Sequence, residues 1–169
     1  KPALVGRYDR GPEDVLVIAN GARDWARQSD DCGAPKPTHD PARKLCRMGA
    51  PTSDDVPPRF MEWGDSHAQA LLPVISEVAA EFVVPGVHAS HPGCPPLLGV
   101  SVEGTDWRRG CVGFNEDMRD RLSRGQFDAV FLVAIWSDYA RLGHLRYADG
   151  TGTPADGEAI LLNGVRQTI

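Results

Sequence analysis

The run from Ala129 to Trp136 is apolar on both alternating sets of positions. A strand of that kind needs cover on both faces, as in a parallel sheet flanked by helices, so it is expected to be the central strand. Leu71, Val74, Ile75, Val78 and Phe82 recur every three or four residues, with Ser76, Glu77 and Glu81 between them. This spacing predicts an amphipathic helix. Pro73 lies inside it, and a proline removes one hydrogen bond and crowds the preceding turn, so the regular helix either starts near Leu72 or kinks there. Upstream, the short apolar run Phe60 to Trp63 ends in Gly64, Asp65, Ser66 and His67. The glycine permits a tight turn and the residues after it can open a helix. Val83 to Ser90 reads as a second strand, interrupted by Pro85 and Gly86, that runs into a loop from His91 to Pro96. Phe114, Met118 and Leu122, four apart among charged residues, predict a second amphipathic helix that Gly125 ends.

Strand, helix, strand, loop, helix, strand is the order of an α/β protein with right-handed crossovers. The expected fold is a three-layer α/β/α sandwich on a mainly parallel, flavodoxin-like sheet. Such a sheet needs five strands and three are legible, so the sheet is expected to be incomplete at its C-terminus. Residues 59–169 would hold it. Residues 1–58 are punctuated by Pro12, Pro35, Pro37, Pro41, Pro51, Pro57 and Pro58 and read as a loop-rich N-terminal extension. Within them Val15 to Arg27 leans to helix, with a short strand at Val15 to Ile18 as the alternative. After Tyr147 a loop leads through Pro154 to Glu158–Ile169, which can start another helix.

Composition narrows the classes. The 169 residues are 41% hydrophobic and 24% charged, with 18 basic against 23 acidic side chains and a formal charge of −5. That is the profile of one globular domain. Arg and Lys are scattered, so no basic stripe argues for nucleic acid as a partner. The longest apolar run falls far short of the roughly 20 residues a membrane-spanning helix needs. The chain opens on Lys1 and Pro2 with no apolar leader, which is expected of a processed or excised piece of something longer.

Cys32, Cys46, Cys94 and Cys111 form two local pairs, separated by 14 and 17 positions. Four cysteines allow three connectivities, and local pairing is the simplest. Closing a loop of about 15 residues is worth on the order of 3 kcal/mol in the chain-entropy model. Such bonds persist in oxidising compartments, so an extracytoplasmic protein is expected. His88, His91 and Cys94 have a spacing that zinc tolerates, but a structural site wants four ligands in paired short spacings. No metal and no cofactor is expected.

A serine on a sharp turn between a buried strand and a helix sits at the sheet's carboxyl edge, near backbone N–H groups and the helix's positive end. Ser66 therefore suits a nucleophile whose oxyanion needs stabilising. Asp and Ser at such a turn serve equally as helix caps. Ser137, Asp138 and Tyr139 reach the same edge from the strand ending at Trp136.

The segment Phe60 to Ala68 (FMEWGDSHA), followed by Leu72 and Pro73, resembles the first block of the SGNH (GDSL-like) hydrolases. More narrowly, the chain resembles the SGNH domain fused to membrane acyltransferase-3 proteins that O-acylate bacterial surface polysaccharides. The further matches are Cys46 to Gly49 (CRMG), Cys94 to Leu98 (CPPLL), Cys111 to Asn115 (CVGFN) and Trp136 to Tyr139 (WSDY). The resemblance implies that Ser66 is the acyl-accepting nucleophile and that its backbone N–H is one oxyanion donor, with Gly64, Asp65 and His67 in support. Trp136, Ser137, Asp138 and Tyr139 would line the pocket. Two features depart from the family: the Gly-x-Asn-Asp strand end is replaced by Trp136, Ser137 and Asp138, and no Asp is followed three residues later by a His. The general base is thus absent from the chain, and His67, His88, His91 and His144 have no acid in the family's register.

The resemblance implies a domain tethered outside the cytoplasm through a membrane module. That module would relay an acyl group, acetyl by expectation, and Ser66 would pass it to a carbohydrate hydroxyl. These 169 residues alone are expected to be inactive, and the rest of the domain or a second chain is expected to complete the sheet. An esterase using the same serine, or a glycan-binding scaffold that has lost its base, are the alternatives.

Overall fold

The structure is a computed structural model that describes residues 45–50, 53, 55–104, 110–125 and 127–169. The sequence reading of Val15 to Arg27 falls outside these residues, as does Cys32. The sheet-forming half consists of β1 (Cys46–Gly49), β2 (Phe60–Gly64), α1 (Ser66–Glu81) and β3 (Pro85–Ser90). A second run follows: β4 (Val100–Val102), α2 (Cys111–Arg124), β5 (Ala129–Val133), α3 (Trp136–Arg141), β6 (Leu145–Tyr147) and α4 (Gly157–Thr168). The main sheet has the order β1-β3-β2-β5, and β1 is antiparallel while the rest is parallel. Strands β4 and β6 form a small antiparallel ribbon.

Alternation along β2 separates two apolar layers, because successive side chains of a strand point to opposite faces. Phe60 joins Met48, Leu72 and Ala79 beneath α1, whereas Met61 and Trp63 join Val87, Ala89 and Met118 beneath α2. The predicted three-layer α/β/α arrangement follows directly. A third cluster, Leu97, Val100, Tyr139, Leu145 and Ile160, packs the ribbon with α3 and α4.

Five expectations are corrected. The strand at Ala129 is not central: β5 pairs with β2 and is an edge of the sheet among the described residues, with Ala129, Val130 and Phe131 exposed. Its apolar run also divides, because Ala134, Ile135 and Trp136 leave the sheet to pack on the third cluster. An apolar run thus recorded a need for cover and not a place in the sheet order. Cys46–Gly49, read as loop, is a strand, and α1 runs unbroken from Ser66 through Pro73. The apolar face expected of α1 lies mostly outside: Leu71, Val74, Val78 and Phe82 are exposed, and the helix packs on the sheet through Ala68, Leu72 and Ala79. The second strand begins at Pro85 and not Val83, because Val83 takes a left-handed φ of 55° and its N–H closes the helix on Ala80 O.

Cys94 and Cys111 form a disulfide across 17 positions, one of the two local pairs expected. Cys46 is disulfide-bonded as well. Beside the first bond, the buried Asn115 side chain accepts from Trp63 Nε1 at 3.1 Å and donates to the Pro95 and Leu97 carbonyls at 2.9 Å each. One amide therefore joins α2, β2 and the loop after β3. Replacing it by alanine leaves the buried indole N–H and the Leu97 carbonyl without this partner, while the Pro95 carbonyl keeps the Leu97 amide. Asn115→Ala is expected to cost about 3 kcal/mol, measured as a lower urea midpoint at unchanged slope.

Candidate active site

The site is assembled where β2 and β5 end side by side. Gly64 sits opposite Val133 in the parallel register, and a Cβ on Gly64 would stand 1.9 Å from Val133 O and 2.7 Å from Ala68 Cβ. Space, and not an unusual φ, is what requires glycine here. Any side chain would push apart the strand pair and the start of α1, so Gly64→Ala is expected to cost about 3 kcal/mol. Thermal denaturation checks this, and an unchanged melting temperature would contradict the packing.

Asp65 follows, 1% exposed, at the N-cap of α1. Its N–H donates to Val133 O at 3.2 Å. One carboxylate oxygen, Oδ1, accepts the His67 amide at 2.7 Å. The other, Oδ2, accepts the Tyr139 hydroxyl at 2.9 Å and the Ile135 amide at 3.3 Å. A single carboxylate thus caps α1 and fastens the chain leaving β5 to the chain leaving β2. Its capping oxygen satisfies an amide of the helix's first turn, which has no partner inside the helix.

Ser66 is consequently relieved of the capping role that its position also allowed. It is the first residue of the 16-residue α1, and it is half-buried. None of the described residues forms a hydrogen bond with its hydroxyl. Its own amide precedes Gln69, whose N–H returns to Asp65 O at 3.4 Å, so it belongs to the unpaired donors at the positive end of the helix. The arrangement offers a hydroxyl, an adjacent N–H and a favourable field for developing negative charge.

Of the other residues singled out, Tyr139 alone among the four at the end of β5 is joined to Asp65. Trp136 packs on the third cluster, Ser137 is exposed, and Asp138 pairs with exposed Arg141 at 3.4 Å. His67 is half-exposed, with Nδ1 3.2 Å from Asp65 Oδ1. His91, buried, donates its amide to Gly64 O at 3.0 Å and leans on the Phe114 ring. Cys94 spends its sulfur on the disulfide. Sequence reasoning missed Glu62 as the partner of His88: Nδ1 lies 2.8 Å from Glu62 Oε2 across two neighbouring strands. A fixed-spacing search along one segment cannot find such a pair, although a glutamate inside an otherwise apolar strand was a signal.

The family model described as "SGNH domain (fused to AT3 domains)" matches residues 29–169. The chain belongs to that family. This SGNH domain is accordingly of the acyltransferase or esterase type, in a family described as fused to AT3 domains. No curated protein and no solved structure matches the chain. Among the described residues of the domain, no helix is long and apolar enough to cross a membrane.

Proposed function

We propose that this SGNH domain transfers an acyl group, acetyl by preference, onto a hydroxyl of a cell-surface polysaccharide through an ester on Ser66. The observation that carries the reading is Ser66 itself, half-buried at the first position of α1, with the cap supplied by Asp65. In this reading the AT3 module delivers the acyl group outside the cytoplasm, Ser66 Oγ attacks its carbonyl carbon, and the Ser66 N–H faces the oxyanion. A sugar hydroxyl then attacks the ester while water is kept out, which makes the outcome transfer and not hydrolysis. The disulfide supports an oxidising compartment.

The family's Asp-x-x-His pair is absent from these 169 residues, and in this reading other polypeptide supplies it. Among the described residues β5 has no strand on its outer side, which supports the same idea. So does a groove of about 520 Å³ beside it, lined by Val74, Val78, Phe82 and Phe131. Residues 59–169 would then be the N-terminal portion of the SGNH domain, and residues 1–58 its extension. The test pairs two assays on the AT3-bearing protein: acyl transfer from a donor to an unacylated glycan, and release of acyl groups from the acylated glycan. Transfer outrunning release supports the reading. Release alone would make the domain an esterase, and neither activity would leave a glycan-binding scaffold.

A further inference from the structure

We propose that Ser90 is a second acyl-accepting nucleophile, activated by His88 and positioned through Glu62, one strand away from Ser66. Strands β2 and β3 are parallel, and their register sets Glu62 opposite His88. Ser90 follows His88 by two residues and so shares its face. The contacts form a chain: Glu62 Oε2 to His88 Nδ1 at 2.8 Å, then His88 Nε2 to Ser90 Oγ at 2.9 Å. With Nδ1–H donated to the carboxylate, Nε2 presents its lone pair to the Ser90 hydroxyl. This is a nucleophile held by a base that an acid orients, a constellation recognised by geometry and not by order in the sequence.

Two further observations favour chemistry over structural support. Glu62 is 0% exposed and His88 4%, and Glu62 Oε1 has no hydrogen-bond partner among the described residues. A buried carboxylate with one oxygen unsatisfied weakens a strand that an apolar residue of similar size would strengthen. The relay also leads outward. Ser90 is half-buried, ends β3 at the carboxyl edge of the sheet, and pairs in register with Gly64, two residues before Ser66. Its substrate would be an oxygen ester of a small acyl group.

The step balances within the chain and substrate. Ser90 Oγ bonds to the ester carbonyl carbon as Nε2 takes the hydroxyl proton. The carbon–oxygen bond to the departing alcohol then breaks, and the alkoxide receives that proton from Nε2. Acyl-Ser90 and a free alcohol result, and a second alcohol or water reverses the sequence. His88 contacts the reacting oxygen, whereas Glu62 acts through His88 and is a positioning residue.

The test treats the full 169-residue chain with an alkyl fluorophosphonate, which phosphonylates an activated serine and releases fluoride. Cleavage after glutamate following reduction separates Ser66, on residues 63–77, from Ser90, on residues 82–103. The expected result is an adduct at Ser90 both in the native chain and in Ser66→Ala. His88→Asn should lower that labelling at least about a hundredfold, and imidazole should restore part of it in His88→Ala. Glu62→Gln should lower it at least about tenfold, with partial rescue in Glu62→Asp. An unlabelled Ser90 peptide in Ser66→Ala, or equal labelling in a folded His88→Asn, overturns the proposal. If His88→Asn fails to fold, the Ser66→Ala chain still decides. Because the serines are read on different peptides, failure here is distinguishable from failure of the Ser66 reading.

Discussion

Ser66→Ala is expected to reduce acyl transfer by about 10⁵-fold or more in the AT3-bearing protein while leaving the fold intact. Loss of a nucleophile that works with a base removes nearly everything the set contributes, and the donors around the oxyanion retain only a residue of rate enhancement. Stability should hardly change, because none of the described residues forms a hydrogen bond with the Ser66 hydroxyl, and Asp65 keeps the cap. Alanine is moreover a good helix former, so the melting temperature should move by less than about 0.5 kcal/mol implies. Activity collapsing together with the fold would instead mark Ser66 as a structural residue. Side-by-side transfer rates and thermal scans separate these outcomes.

The second large effect falls on the neighbouring carboxylate. Asp65→Ala removes a helix cap and strips acceptors from two groups at the other strand end, Ile135 N–H and the buried Tyr139 hydroxyl. The cap is worth about 1 kcal/mol, and each lost hydrogen bond to the charged carboxylate costs about 1.5–3 kcal/mol. A loss of about 4 kcal/mol is therefore expected, a large share of the stability of an ordinary domain. Asp65→Asn should fall between native and alanine. It keeps one accepting oxygen for the cap, but its NH₂ group then confronts the Ile135 amide, or the reverse if it flips. Denaturant curves for the three proteins give the ranking, and equal midpoints would mean that the junction between β2 and β5 is held by something else. Activity should fall in Asp65→Asn even where most of the protein is folded, because the Ser66 amide and hydroxyl hang on the turn that Asp65 fixes.

Periodicity exposed α1 and α2 as helices, and Met118 lies beneath α2 as its spacing required, but for α1 it chose the wrong face: Leu71, Val74, Val78 and Phe82 are exposed while Ala68, Leu72 and Ala79 are buried. The same logic misjudged β5. An apolar strand signals that its faces need cover, yet says nothing of which neighbours supply it. Here the run beginning at Ala129 is shared between a sheet edge and a separate cluster around Tyr139. Strand β1 escaped notice because Cys46–Gly49 is short and lies among prolines, and its pairing partner, β3, is remote in sequence.

The site divides in the same way. Ser66, Gly64 and Asp65 are contiguous, so a local turn pattern could bring them forward. Tyr139 was placed at the right edge, but its bond to Asp65 spans 74 positions and depends on α3, a helix that the apolar run concealed. Glu62, His88 and Ser90 lie on two strands whose register has to be known before they can be seen as one chain.

The claim on which the functional account turns is that Ser66 carries the acyl group. The most direct measurement is the mass of the Ser66 peptide, residues 63–77, from the AT3-bearing protein quenched in acid during turnover with an acyl donor and no glycan acceptor. A mass increase equal to the acyl group on Ser66, discharged when glycan is added, is the predicted result. Continued transfer to glycan with Ser66 never acylated, or undiminished transfer by Ser66→Ala, would contradict it.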